Sequence, residues 1–230
     1  MKRISLIISF LTFFMVGVNA QSGALSYGVK AGPTFNWASA ASTSCENKGA
    51  PMGFGLGLVA DYEITSNLAF STGLEYNLVR MKYQFTDYRR MENFLEYSDV
   101  TVDRKSAGSY LEIPLKAKAS MDIMDELKGF VEAGLGIGIN LSSRAKDEFD
   151  FYGIDYADKR YLDKTYQYRM LQAALRFGLG AEYAFSSDYS LFAQVSFRHA
   201  LSNMFTHDLQ RKTGSNMKVN FIGIEAGIMF

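Results

Sequence analysis

The chain has 230 residues, 24 basic and 24 acidic side chains, 48% hydrophobic residues and 14% aromatic residues. Equal numbers of basic and acidic side chains argue against a nucleic-acid partner. The aromatic content argues against a disordered chain. A single cysteine, Cys45, excludes an internal disulfide, and with only two histidines we expect neither a metal site nor another cofactor.

The first 20 residues predict a secretory signal peptide. They combine a basic start, a 15-residue apolar run and small residues leading up to Ala20, which is the pattern that signal peptidase recognises. The apolar run is shorter than the roughly 20 residues that a membrane-spanning helix needs. We therefore favour cleavage between Ala20 and Gln21 over an uncleaved anchor, which leaves one domain over residues 21–230.

The exported part alternates between apolar and polar residues, and each alternating segment predicts a β-strand. The eight segments are 25–37, 53–62, 68–79, 110–119, 131–141, 171–185, 191–199 and 222–230. The joints are short near 63–67, 121–128 and 186–189, and long and polar near 38–51, 84–107, 143–167 and 202–217. Strict alternation of short and long joints is typical of an eight-stranded antiparallel transmembrane β-barrel with periplasmic turns and extracellular loops.

A soluble β-sandwich would also alternate, but glycine placement favours the barrel. Of the 20 glycines, 13 fall on the polar face of the strands. Solvent-exposed strands avoid glycine because it packs against nothing, whereas the narrow interior of an eight-stranded barrel holds few large side chains. We therefore predict an all-β outer-membrane barrel with its apolar face toward lipid. Representative lipid-facing positions are Leu56, Leu74, Leu135, Leu179 and Ile224.

The predicted interior face carries charges of both signs in near balance. The bases are Lys30, Lys116, Lys118, Arg176 and Arg198, and the acids are Asp61, Glu75, Glu112, Glu132, Glu182 and Glu225. Unpaired charges inside a barrel are costly, so we expect a paired lumenal network. An ion path or proton relay is the functional alternative, but eight strands leave little lumen beyond their side chains, and a polar plug that conducts poorly is favoured.

Several segments resemble a family of small outer-membrane β-barrels widespread in Bacteroidetes, the PorT-like, OMP_b-brl type. These segments are YGVKAGPTFNW (27–37), GFGLGLVADYEITSNLAFSTGLEYN (53–77), YLEIPLKAKA (110–119) and IEAGIMF (224–230). The resemblance implies the outer membrane of a Gram-negative bacterium, and one such protein is implicated in secretion. The terminal Phe230, in phase with the apolar face, resembles the signal that barrel-assembly machinery reads.

Two motifs suggest chemistry. The GxGxG runs at 53–57 and 134–138 lie within strands, whereas phosphate-binding glycine loops turn into a helix. His199 and Ser202 resemble the His-x-Ser segment of outer-membrane lipid A deacylases with one residue inserted. The insertion places the two side chains on opposite faces of a strand unless a bulge intervenes, and a nucleophile without an aligned base stays weak.

The remaining chemical variety lies in the long joints. Residues 84–107 and 143–167 are rich in charge and in Phe and Tyr, which suits contact with a protein or glycan partner but also fits strands that continue beyond the membrane. Cys45 lies in the first long joint with no evident partner. We predict a non-enzymatic barrel whose loops bind a partner or support envelope assembly, with a lipid A hydrolase and a PorT-like secretion component as alternatives.

Overall fold

The computed structural model describes residues 25–40, 45–89, 98–158, 160–207 and 216–230. Its strands are β1 (Leu25–Ala40), β2 (Cys45–Asn47), β3 (Met52–Thr65), β4 (Leu68–Arg89), β5 (Ser98–Met124), β6 (Leu127–Phe151), β7 (Ile154–Ala157), β8 (Leu162–Asp163), β9 (Leu171–Ala184), β10 (Ser190–Ala200) and β11 (Met217–Met229). One turn of 3₁₀ helix, η1, covers Thr165–Gln167. The predicted signal peptide, with its cleavage site at Ala20 and Gln21, lies outside the described residues.

Eight long strands form a closed ring. Hydrogen-bonded antiparallel neighbours run in the order β1–β3–β4–β5–β6–β9–β10–β11, and β1 pairs with β11 to close it. The three short strands attach to this ring: β2 pairs with β4, while β7 and β8 pair with β6. The predicted eight-stranded antiparallel barrel is confirmed. Among the described residues, no helix is long and apolar enough to cross a membrane.

The connections at the two ends of the barrel differ in length as predicted. Two-residue turns follow β3 and β5, and residues 185–189 join β9 to β10. These turns share one end of the barrel with Leu25 and Phe230. The carboxyl ends of β1, β4, β6 and β10 lie at the opposite end. In a barrel of this type, the short turns face the periplasm and the long connections face outward.

The predicted loops 84–107 and 143–167 were wrong in extent, because residues 84–89, 98–107 and 143–151 are strand. In these extensions the residues still alternate, but the apolar ones now face inward and the polar ones outward. In β4, Leu78 points outward, but beyond it Val79, Met81 and Tyr83 point inward and are buried. Apolar side chains facing inward and charged ones outward are what a strand in water requires. The reversal after Leu78 therefore marks the outer edge of the membrane.

The outer wall is apolar and carries exposed aromatic rings. Leu56, Leu135, Leu179 and Ile224 are 49–64% exposed on this wall, and Leu74 is half-buried on it. A periplasmic belt contains Tyr27, Tyr189 and Phe230, with neighbouring ring centroids 5.8 Å apart. Towards the other end, Trp37 stacks on Phe197 and Phe197 on Phe177, with ring centroids 6.2–6.4 Å apart, in a row that runs from the outer end of β1 into the wall.

The spacing of Tyr27 and Trp37 fits a membrane. Tyr27 and Trp37 are ten residues apart on β1, which is about 33 Å along the strand. With a tilt of about 40°, the two rings lie about 25 Å apart along the membrane normal, the height of the apolar band of outer-membrane barrels. Aromatic rings are enriched at both membrane–water interfaces.

The interior has three layers along the barrel axis. An apolar cluster of Val59, Phe130, Phe192 and Met229 lies at the periplasmic end. Charged side chains fill the middle. A larger apolar cluster fills the outer end, and it includes Met81, Tyr83, Phe85, Val102, Phe151, Met204, Phe205 and Met217. The charges of the middle layer are thus enclosed between two apolar layers, while Lys118 with its partners Asp61 and Glu182 lies beside the periplasmic cluster, 4.6 Å from the Phe130 ring.

Candidate functional site

The middle layer contains one continuous chain of alternating charge, contributed by six strands. Its members in order are Glu225 on β11, Lys30 on β1, Glu75 on β4, Arg176 on β9, Glu112 on β5 and Arg198 on β10. The successive N···O distances are 2.8, 2.7, 2.5, 3.2 and 2.7 Å. Every member is at most 5% exposed. Each charge in the chain therefore has an opposite charge beside it where water cannot screen it.

The remaining predicted interior charges form two smaller groups. Lys116 pairs with Glu132. Lys118 lies 2.8 Å from Asp61 and 3.0 Å from Glu182, nearer the periplasmic mouth. The structure thus places all the interior charges predicted from the sequence in contact with an opposite charge. Strand alternation alone identified the members, but which residues pair depends on register and barrel closure.

Glycines make room for these carboxylates. A Cβ atom at Gly136 would lie 2.4 Å from Oε1 of Glu112, whereas a Cβ at Gly138 would come no closer than 3.4 Å to that side chain. At Gly57, a Cβ would meet the Glu75 side chain at 3.1 Å. The GxGxG runs therefore line the interior beside buried charges and are not phosphate-binding loops.

Little space remains between the interior side chains. A cavity of about 10 Å³ lies beside Lys30, Lys116 and Glu132, and one of similar size lies beside Glu112 and Arg198. Such a volume holds about one water molecule. In the described part of the chain, side chains therefore fill most of the interior at these levels. Within the described part of the chain, no three His, Cys, Asp or Glu side chains are grouped as metal ligands.

A further buried ion pair, which the sequence analysis missed, lies beyond the membrane. Arg104 donates to both carboxylate oxygens of Asp147, at 2.5 and 2.7 Å, and to Gln167 at 2.6 Å. Lys164 adds a contact to Asp147 at 2.5 Å. Burial alone would raise the pKa of Asp147, but the hydrogen bonds and charge of Arg104 and Lys164 outweigh it and hold that pKa well below its usual range.

This ion pair holds the segment after β7 against the barrel mouth. Tyr168, just after η1, shares a 2.7 Å hydrogen bond with the hydroxyl of Tyr83, and its ring lies 5.9 Å from that of Phe205. Cys45 lies in the same apolar cluster and is buried. The cluster and the ion pair together fill the described part of the outer end.

The two residues of the hydrolase alternative are not brought together. His199 is half-buried on the outward face of β10, while Ser202 lies beyond the end of that strand. The Ser202 hydroxyl accepts a hydrogen bond from the backbone N–H of Ala173 at 3.1 Å. Among the described residues, no hydrogen bond joins His199 to Ser202 or to a carboxylate that would orient it, as a nucleophile–base pair requires.

A closed antiparallel ring with an apolar outer wall, exposed aromatic rings and a charged interior defines a transmembrane β-barrel. Residues 19–206 match the family model described as "Outer membrane protein beta-barrel domain". The chain belongs to this family and is located in the outer membrane of a Gram-negative bacterium.

Solved structures of other outer-membrane barrels are similar to this chain at low sequence identity. Neisserial surface protein A is 18% identical with a TM-score of 0.42, covering 88% of this chain and 95% of its own. OprG from Pseudomonas aeruginosa is 14% identical with a TM-score of 0.39, over 90% and 96%. Ail from Yersinia pestis, solved with the heparin analogue sucrose octasulfate, is 14% identical with a TM-score of 0.37, over 90% and 100%. No curated protein sequence matches the chain significantly.

Proposed function

We propose that this protein is a non-enzymatic surface barrel that binds a protein or glycan partner through its outer end. The binding surface would be the extracellular platform, defined as residues 80–89, 98–109, 143–158 and 160–167. The observation that carries the proposal is that this platform combines a buried core with exposed aromatic side chains. A rigid scaffold that displays adaptable side chains is a common basis for recognition.

The platform is held rigid from within. Strands β4, β5 and β6 remain paired through Arg89, Ser98 and Phe149, and their inward side chains pack in the outer apolar cluster. The Arg104–Asp147 pair then ties β5 to β6 below the segment that follows β7. Because these groups are already ordered, binding would cost little further conformational entropy.

Tyrosines project outward from this framework. Tyr166 is 74% exposed, Tyr152 63%, Tyr88 58% and Tyr161 46%. Tyrosine offers a large contact area with few rotatable bonds, and it is enriched at protein interfaces. These side chains lie beyond the outer edge of the apolar wall, where contact with lipid does not account for their exposure.

Crosslinking in intact cells tests this proposal. We expect a specific crosslinked partner, or a hit on a glycan array, that is lost when Tyr161→Ala and Tyr166→Ala are combined. Tyr27→Ala with Tyr62→Ala is the matched control, since these tyrosines are 56% and 53% exposed at the periplasmic end. Equal capture by both double variants would contradict a platform role, provided that both still run as folded barrels on unheated gels.

The same cells test the two alternatives. Lipid A should have the same acyl chains, by mass spectrometry, with the intact protein, with His199→Ala and with Ser202→Ala. Deacylation that disappears in both variants would replace the binding proposal by the hydrolase. A PorT-like role in secretion would instead appear as loss of secreted proteins on deletion of the gene, restored by the intact protein but not by the platform variant.

Export and assembly complete the proposal. Residues 1–20 would be removed, and N-terminal sequencing of the outer-membrane form should begin at Gln21. Phe230 would be read by the barrel-assembly machinery before it takes its place in the periplasmic belt, where its ring lies 5.8 Å from that of Tyr27. Deletion of Phe230 should lower the amount of folded protein in the membrane more than Tyr27→Ala, which removes the same ring contact but keeps the terminal signal.

A further inference from the structure

The periplasmic mouth of the barrel contains a polar pocket. This mouth pocket has a volume of about 60 Å³, against about 10 Å³ for each of the cavities beside Glu132 and Glu112. A cavity needs about 10–15 Å³ to hold one water molecule, so the mouth pocket has room for a small polar group. Hydroxyl, amide and charged side chains line most of it, and they come from β1, β3, β5, β6, β9 and the turn after β3.

Carboxylates outnumber ammonium groups around the mouth pocket. The acids are Asp61, Glu63 and Glu182, and the bases are Lys118 and Lys128. Lys118 bridges Asp61 and Glu182, at 2.8 and 3.0 Å, and Lys128 is opposite Glu182 in the pairing of β6 with β9. Glu63 is exposed and has no ion pair among the described residues. The pocket therefore carries one negative charge more than its own lysines offset.

Asp61 also lacks a hydrogen-bond donor. Its Oδ2 atom accepts from Lys118 at 2.8 Å, but its Oδ1 atom is buried and accepts no hydrogen bond from the described residues. The residue as a whole is 5% exposed. A buried acceptor without a donor is destabilising, and more so when the acceptor is charged. A cation that carries N–H groups would supply both the missing charge and the missing donor.

The chain enters the barrel beside the mouth pocket. Ser26, near the start of β1, lines the pocket and is directly opposite Asp61 in the pairing of β1 with β3. Glu63 follows Asp61 by two residues on β3, so their side chains lie on the same side of the strand. After cleavage at Ala20, the new amino terminus would precede Ser26 by five residues. Five residues span at most about 17 Å, so the terminus stays within reach of the mouth.

We infer that the mouth pocket binds the α-ammonium group of the mature chain's own first residue, Gln21. This inference rests on the cleavage after Ala20 that is part of the proposed function. The α-ammonium would donate to Oδ1 of Asp61 and to the carboxylate of Glu63, and its charge would bring the mouth to three acids and three bases. The short tether keeps the local concentration of this group high, which favours it over free amines.

Docking would follow cleavage and could not precede it. In the precursor, Gln21 has a peptide N–H in place of an ammonium group, and the amino terminus is Met1, 20 residues earlier. A single peptide N–H supplies one donor and no charge, whereas the α-ammonium supplies three donors and one positive charge. Removal of the signal peptide would therefore also complete the polar contacts of the periplasmic mouth.

Acetylation of the amino terminus tests this inference with protein purified from outer membranes. At about pH 7, an acetylating reagent prefers the α-amine to lysines, because the ordinary pKa of an α-amine is about 7.7–8.0 and that of lysine about 10.4. Two neighbouring carboxylates raise the pKa of the docked group, and a rise of about one unit leaves about tenfold less free amine. We therefore expect acetylation of Gln21 to be at least tenfold slower in the folded barrel than in urea.

Mass spectrometry separates the possible failures. A chain that still carries residues 1–20 would contradict the proposed cleavage, and the inference with it. A chain that begins at Gln21 but is acetylated equally fast in the folded and unfolded states would overturn docking alone. An amino terminus recovered as pyroglutamate would also overturn docking, because a cyclised glutamine has no ammonium group.

Variants show whether the carboxylates are responsible. Asp61→Asn combined with Glu63→Gln should accelerate acetylation of the folded barrel about tenfold, and Glu63→Gln alone should give an intermediate rate. Asp188→Asn is the matched control, because Asp188 is an exposed acid at the same end that does not line the pocket. Unchanged protection in the double variant, or equal acceleration by the control, would refute the pocket as the site. Lys118 keeps its contact with Glu182 at 3.0 Å, so gel mobility should show all variants folded.

A carbodiimide locates the docked group directly. The reagent activates a carboxylate, which forms an amide with a neighbouring amine while the carbodiimide takes up the water. We expect the amino-terminal peptide to be joined to the peptide that contains Asp61 and Glu63. Joining to Asp125 or Asp188 instead, or the absence of any joined product, would overturn the inference. Partner capture by the platform tyrosines is measured separately and does not affect this result.

Discussion

The most direct test of the interior is to add one methyl group beside a buried carboxylate. In Gly136→Ala, the new Cβ would lie 2.4 Å from Oε1 and 2.7 Å from Cδ of Glu112, so the carboxylate must move. Glu112 accepts from Nε of Arg198 at 2.7 Å and lies 3.2 Å from Nη1 of Arg176. Both contacts lengthen when it moves.

The expected cost follows from these contacts. Loss of a hydrogen bond to a charged group costs about 1.5–3 kcal/mol, and complete removal of one partner of a buried ion pair costs about 3–5 kcal/mol. Because Glu112 is displaced and not removed, we expect Gly136→Ala to lower the free energy of unfolding by about 1–3 kcal/mol relative to Gly138→Ala. A Cβ at Gly138 makes only an ordinary contact at 3.4 Å, and both variants gain the same reduction in unfolded-chain entropy.

Urea unfolding in lipid vesicles measures this difference. Trp37 is the only tryptophan, and it lies on the outer wall beside Phe197, so its fluorescence reports loss of the barrel. The effect of Gly136→Ala should vanish in a Glu112→Ala background, where the obstructed side chain is absent. Identical unfolding midpoints for Gly136→Ala and Gly138→Ala would refute the view that glycine is required there to accommodate a buried carboxylate.

Three further predictions concern closure of the barrel. Asp147→Asn should lower the protection of residues 98–107 against hydrogen exchange at neutral pH. In the unchanged protein, the pKa of Asp147 is depressed, so its stabilisation is complete above about pH 4 and disappears as the pH falls through the lower folded value. The protection should therefore fall only in acid. Cys45, which is 8% exposed, should react with a water-soluble maleimide far more slowly in the folded barrel than in urea, and fast labelling of folded protein would contradict its burial. Purified protein should show no large, stable conductance in planar bilayers, and Arg176→Ala should increase leakage by opening the charged layer; a large conductance without substitution would refute the plug.

Alternation within the membrane was readable from the sequence because lipid on one side and a narrow interior on the other force a strict period of two. The same reasoning located Glu75, Arg176 and their neighbours on the interior face. It could not specify that Arg176 bridges Glu75 and Glu112, because that geometry arises only when strands separated by more than 60 residues become opposite walls of one barrel.

The extracellular platform was harder to predict because the environment changes along a single strand. At Leu78 and Val79 the apolar residues pass from the outer to the inner face, so two apolar residues in succession interrupt the pattern. The alternation beyond them then resembles a charged loop, since its outward residues include Arg80 and Lys82. A search for reversed alternation would have found β4 and β5 at full length, but the Arg104–Asp147 pair depends on folding of the segment after β7.

The contact between Lys30 and Glu225 joins the first and last long strands, 195 residues apart. These two charges reach each other only when β1 and β11 pair, although Lys30 also contacts Glu75 and Glu225 also accepts a hydrogen bond from Gln194. Complete exclusion of water from the charged layer therefore requires the final strand pair. We expect a chain that lacks β11 to keep Lys30 accessible to water through the open seam.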